Sequence, residues 1–284
     1  MKGNSEMIKE MFGKFVKINK KPEIQILPGN LAFSLVLSLI PIITLFGLTA
    51  SFFSISIDSV IEFMSKSLPK DVSNILIPFI DGEGFDFNIG IFMIAIFFIA
   101  SNGPYAIIVA CNTIYNVHDN NTLRRRIKAI FLTIIIILIF IFIVVVLAFG
   151  NKILKMLLDM YLLANFSKEF YYMYILIKWP LSFLLIYFSI KLIYTLAPDF
   201  KIGSKYVTRG AVFTTLGWIF VTLIYAYYVN NIAHYDIFYS SLSNIIVLMT
   251  WIYILAYIFV VGMAINASTY QMVKKGTNNE SKKV

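Results

Sequence analysis

The stretch NIIVLMTWIYILAYIFVVGMAI, from Asn244 to Ile265, contains no charged residue and no proline. A helix needs about 20 mainly apolar residues to cross a membrane, because each residue advances about 1.5 Å through a hydrocarbon core about 30 Å thick. This stretch meets that length, and five earlier blocks do so as well: Leu31 to Phe53, Asn88 to Ala110, Ile127 to Phe149, Tyr172 to Leu196, and Val207 to Val229. Every backbone N–H and C=O in lipid must find its partner within the chain, and none of the blocks alternates as a barrel strand does. The expected fold class is all-α, a polytopic membrane helical bundle of six transmembrane helices with interfacial amphipathic helices around it.

Composition agrees. Of 284 residues, 59% are hydrophobic and 14% charged, where a soluble domain carries about a quarter charged residues. A single cysteine, Cys111, excludes an intramolecular disulfide and a thiolate metal cluster. The net charge of +9 reports topology before it reports any nucleic-acid partner, since cytoplasmic loops of membrane proteins collect Lys and Arg.

Basic residues gather on alternate sides. Lys2, Lys9, Lys14, Lys17, Lys20 and Lys21 precede the first block; Arg124, Arg125, Arg126 and Lys128 follow the second. Lys201, Lys205 and Arg209 follow the fourth, and Lys274, Lys275, Lys282 and Lys283 close the chain. The loops between hold five in all, Lys66, Lys70, Lys152, Lys155 and Lys168, and the first of them is acidic, with Asp58, Glu62, Asp71, Asp81, Glu83 and Asp86. This asymmetry predicts cytoplasmic N- and C-termini. Residues 1–30 are expected to be a basic amphipathic segment on the cytoplasmic membrane surface, with Met7, Ile8, Met11, Phe12, Phe15 and Ile18 at helical spacing. They lack the short apolar core and cleavage site of a signal peptide. Residues 31–267 form the six-helix domain, and 268–284 a cytoplasmic disordered tail. In the outer loops, Ile61, Met64, Leu68 and Val72, and again Ile153, Leu154, Leu157 and Leu158, predict further interfacial helix.

Polar residues within apolar blocks mark a candidate substrate pathway. Ser34 and Ser38 share one face, with Pro41 close behind. Asn102, Gly103 and Pro104 form a helix-breaking triplet, and broken helices line many transport sites. Asn112 and Tyr115 continue toward the cytoplasm, and Asn266 marks the inner end of the last block. Tyr235 and Tyr239 are placed at the outer mouth. The simpler reading of each is that it bonds one helix to another. Lys178 and Lys191 lie near the ends of the fourth block and can snorkel to headgroups. His118 and His234 fall on opposite sides of the membrane and cannot share a metal. No catalytic set, metal site or cofactor motif can be assembled, and no stacking platform accompanies Arg124–Arg126, so no nucleic-acid partner is expected. Membrane lipids and an amphiphilic solute are the expected partners, with a homo-oligomer left open.

Four stretches resemble one family: LAFSLVLSLIP from Leu31, NTIYNVHDNNTLRRR from Asn112, LAPDFKIGSKYVTRGAVF from Leu196, and YVNNIAHYDIFYSSLSNIIVLMTWIYILAYIFVVGMAINA from Tyr228. The chain resembles the YihY/BrkB family of bacterial inner-membrane proteins, a group once named ribonuclease BN. The resemblance implies a six-helix domain in the bacterial cytoplasmic membrane, a link to serum resistance and to movement of lipids or other amphiphiles, and a misassigned ribonuclease name. The sequence has Asn102 where the family pattern carries arginine and Ala264 where it carries glutamate, which weakens coupled transport. The expected function is transport or translocation of an amphiphilic or lipid-linked solute, with no enzyme activity. The alternative is a non-transporting scaffold binding an envelope partner, and a membrane-associated ribonuclease comes third.

Overall fold

The computed structural model describes residues 20–52, 89–117, 121–158, 167–231 and 243–280, with single positions at 13, 16, 17, 58, 61, 62, 65, 73 and 77. Among the described residues the regular elements are helices: α1 Pro22–Gln25, α2 Leu27–Phe52, α3 Ile89–Ala100, α4 Asn102–Tyr115, α5 Thr122–Leu158, α6 Ser167–Leu196, α7 Ser204–Asn231 and α8 Ser243–Glu280. Among the described residues five stretches are long and apolar enough to cross a membrane: Leu27–Leu45, Ile94–Tyr115, Thr122–Ile143, Ser204–Val229 and Ser243–Gln271. Pro180–Leu196 is a shorter apolar part of α6. The chain is a polytopic helical bundle.

Local chemistry sets the helix ends. Pro22 opens α1 at a first-turn position, where a missing N–H costs nothing. The second apolar block is one span whose ladder runs through Ser101: its N–H reaches Phe97 O at 3.0 Å, its carbonyl accepts the Tyr105 N–H at 2.9 Å, and its hydroxyl donates to the Phe98 carbonyl at 2.7 Å. Pro104, which has no N–H, is where the ladder loses a bond between α3 and α4. That helix stops at Asn116, which takes the left-handed conformation with φ 59°. Asn116 N–H reaches Thr113 O at 3.1 Å and Val117 N–H reaches Asn112 O at 2.8 Å, the paired bonds of a Schellman end. Asn121 caps α5, its Oδ1 accepting from the Arg124 N–H at 3.0 Å.

Two expectations change. The segment from Ile153 to Leu158 is helical, but as a continuation of α5. The final helix does not end near residue 267: α8 runs to Glu280, so most of the tail expected to be disordered is helix, with 281–284 outside the described residues.

α2 lies at the centre, against α1, α3, α4, α5 and α8, while α6 bridges α5 and α7, and α7 packs along α8. Outward faces stay apolar: Leu216, Phe220, Leu223 and Tyr227 form an exposed stripe on α7 at helical spacing, suited to lipid rather than water. Lys21 and Asn116 line one cavity, Lys128 bonds the 197–199 segment, and Tyr115 touches Phe200 and Tyr270. The start of α2, the turn before α5, the α6–α7 connection and the late part of α8 therefore share one basic end of the bundle.

Candidate functional site

The densest polar assembly lies at that basic end, on Asp199. Its side chain is 2% exposed. Oδ2 accepts from Arg125 Nε at 3.1 Å and from the Asn112 amide; Oδ1 accepts from Lys128 Nζ at 3.0 Å. The Asp199 N–H in turn donates to Asn112 Oδ1 at 2.9 Å. Lys128 uses its remaining protons on the carbonyls of Ala197, at 2.9 Å, and Pro198. Burial alone would push the Asp199 carboxyl up, but the bonds from Lys128, Asn112 and Arg125 outweigh it and hold the group below the usual carboxylate range. The result is a clamp that fixes α4, α5 and the α6–α7 connection to one another.

Arg126, next to Arg125 on α5, points elsewhere. Its Nη1 donates to Asn102 Oδ1 at 2.8 Å and its Nη2 to the Phe98 carbonyl, while the guanidinium lies 3.8 Å from the centre of the Phe98 ring. Its Nε–H is buried and meets no acceptor among the described residues. Asp199 pairs with both Arg125 and Lys128, one negative charge against two positive, and among the described residues no carboxylate pairs with Arg126. The guanidinium forms the wall of a groove of about 570 Å³ lined by Phe98, Asn102, Tyr105, Thr122, Leu123 and Arg126.

The expected pathway residues are thus distributed rather than aligned. Ser34 is half-buried on α2, one turn from Ser38. Ser38 is buried, donates to the Leu35 carbonyl at 3.0 Å and abuts Gly103, so closely that a Cβ there would meet its hydroxyl. Asn102 belongs to the Arg126 groove and Asn112 to the Asp199 clamp. Tyr115 packs edge-on to Phe200 at 5.2 Å and Tyr270 at 6.1 Å. Asn266 belongs to the α7–α8 seam: its Oδ1 accepts the Gly210 N–H at 2.7 Å, and its Nδ2 is buried without an acceptor among the described residues. Tyr235, Tyr239, His118 and His234 lie outside the described residues. Lys191 sits 5.5 Å from the Tyr187 ring, and Lys178 lies in the same helix. Among the described residues no group of three His, Cys, Asp or Glu side chains could hold a metal.

The sequence pattern does not single out Asp199, Lys128 and Arg126 as site residues, because basic residues beside an apolar block read first as topology signals. A signal existed: Asp199 is the sole acidic residue between Glu169 and Asp236, set among Lys201, Lys205 and Arg209. The seam of α6, α7 and α8 was also missed. There the Tyr194 hydroxyl bonds Thr214 Oγ1 and donates to the Phe259 carbonyl, both at 2.7 Å, in a notch left by Gly262.

The protein is similar along nearly its whole length to a protein of Bacillus subtilis strain 168 named as ribonuclease-like, YfkH, with 28% identity over 276 residues, 96% of this chain and 98% of that one. A UPF0761 membrane protein of Psychromonas ingrahamii is 25% identical over 99 residues, 35% of this chain and 34% of its own. No solved structure matches the chain. The model of the family described as virulence factor BrkB matches residues 20–284, a span that takes in every helix of the bundle, and the chain therefore belongs to the BrkB family of multi-pass membrane proteins.

Proposed function

We propose that the protein translocates an amphiphilic or lipid-linked solute across the bacterial cytoplasmic membrane, with its basic end and both termini in the cytoplasm. The observation that carries this reading is the polar contact set within the second span. There Pro104 supplies no N–H, Asn102 meets the guanidinium of Arg126, and a groove opens beside exposed apolar side chains. Polar groups within an apolar span are costly in lipid, and in transporters they line solute paths. In this reading the solute meets Asn102 at the groove, with Ser34, Ser38, Asn112, Tyr115 and Asn266 as polar groups at separate contacts around the bundle, Tyr235 and Tyr239 as the outer mouth, and residues 1–30 as a cytoplasmic surface anchor. The excess of basic residues at this end supports its cytoplasmic side.

The test uses purified protein in liposomes carrying a lipid with a fluorescent headgroup and a quencher confined outside. Quenching well beyond the outer-leaflet fraction is expected, slowed in Asn102→Ala. Quenching that halts at that fraction, with folded protein in the membrane, removes lipid translocation.

A second reading has its own support. Asn102, Asn112 and Asn266 are each engaged by a neighbouring element, as in a bundle built to stay closed. A non-transporting scaffold would co-purify with an envelope partner in fixed ratio and show no flux.

A further inference from the structure

We propose that the groove at Arg126 binds the phosphate headgroup of an anionic phospholipid from the leaflet at the basic end, with an acyl chain lying along the exposed faces of α3 and α5. This goes beyond translocation, because such a site would hold a lipid whether or not any lipid crosses the membrane. Three features carry it. The guanidinium of Arg126 is fixed by two neutral acceptors, Asn102 Oδ1 and the Phe98 carbonyl, and stacked on the Phe98 ring. It is oriented without being neutralised. Neighbouring Arg125 and Lys128 share the single carboxylate of Asp199, so the cluster keeps a positive excess, and Arg126 is its member on the groove, with no carboxylate partner among the described residues. A planar fork with free donors suits a phosphate better than a point charge would.

The walls decide between a lipid and a free anion. Leu123, on the rim, is 71% exposed, and Phe98 is 56% exposed. From Leu123 an outward stripe continues through Ile127, Phe131 and Leu138 along α5, while Ile94 extends the α3 side. A soluble anion gains nothing from these surfaces, whereas a lipid places its headgroup at Arg126 and its chain on the stripe. Thr122 and Tyr105 line the same groove, with the Tyr105 ring centre 5.8 Å from the guanidinium carbon.

The experiment measures binding of dioctanoyl phosphatidylglycerol to the detergent-purified full chain, with dioctanoyl phosphatidylcholine and inorganic phosphate as the other probes. Saturable binding of phosphatidylglycerol is expected, at least about tenfold tighter than of phosphatidylcholine, with Arg126→Gln losing about tenfold or more, since charge-assisted bonds to a phosphate are the strong ones. Arg124→Gln, an exposed position outside the groove, should bind as the wild type does. Should Arg126→Gln misfold, Leu123→Glu tests the same point from an exposed position: its carboxylate would repel the headgroup without disturbing a packed side chain. Inorganic phosphate displacing the lipid at equal concentration would overturn the lipid assignment. Undiminished binding in folded Arg126→Gln, or in Leu123→Glu, would overturn the site.

Discussion

Asp199 shows what a single carboxylate does at the end of a membrane bundle. It is buried, yet two cations and an amide converge on it. Removing its charge leaves Arg125 and Lys128 facing a weak acceptor, so Asp199→Asn is expected to lower stability by about 2 kcal/mol or more, short of the 3–5 kcal/mol of a fully buried pair because both cations keep some water. Thermal unfolding in detergent at neutral pH measures it. The pH dependence has a definite sign. The folded carboxyl titrates below its ordinary range, so its contribution is complete above about pH 4 and fades as pH falls through the folded value. Wild type and Asp199→Asn should differ at pH 7 and converge in stronger acid; a constant difference down to low pH would show that charge is not what holds the clamp. Asn112, by contrast, was legible in the sequence as a polar residue in an apolar block, but its partner was not, since that partner lies in a connection far along the chain. Hydrophobic periodicity locates a buried polar group without saying whom it bonds.

At the scale of elements, the α7–α8 seam depends on what two glycines leave out. A Cβ on Gly210 would strike the Gly262 carbonyl and the Asn266 amide, and one on Gly262 would strike Thr214 Oγ1 and the Tyr194 hydroxyl. Close approach of backbones over small residues is the usual way membrane helices associate, because lipid supplies no hydrophobic drive between them. Gly210→Ala meets backbone, which cannot rotate aside, and is expected to cost about 1–3 kcal/mol. Gly29→Ala, in α2 and with nothing within 4 Å of the new methyl group, should hold or raise the unfolding midpoint, since alanine favours a helix over glycine. Equal midpoints for the two variants would mean that the seam relaxes freely. The helices themselves were largely readable: each apolar block recurs as helix, but the Asn102–Pro104 triplet does not break its span, because the ladder bonds on either side of Ser101 persist and Pro104 removes a single donor. The lengths were not, because α5 and α8 continue past their apolar blocks, and a helix that leaves the hydrocarbon no longer needs apolar residues to persist. The seam stayed invisible because glycine in an apolar block looks the same whether it faces lipid or another helix.

On the scale of the whole molecule, the alternation of basic loops and the packing point to one arrangement. The segments that charge counting assigns to one side are those that meet at the basic end, around Asp199 and Tyr115. The count could group these segments because charge asymmetry is written loop by loop; it could not foresee that one acid would knit them together. Which side of the membrane this end faces is a matter for chemical labelling, and Cys111 is unsuited to it. The thiol is buried, 3.3 Å from the Met263 sulfur, so it would resist an impermeant maleimide from either side. Exposed positions are needed: Lys201 in the α6–α7 connection and Asp58 in the first long loop, both exposed. In a Cys111→Ala background, Asp58→Cys is expected to label in intact cells stripped of their outer layers, and Lys201→Cys only after the membrane is permeabilised. The reverse pattern would turn the molecule over and put the clamp and the Arg126 groove outside. Labelling of both in intact cells would place the two connections on the same side and overturn the six-span reading, in which three spans separate them.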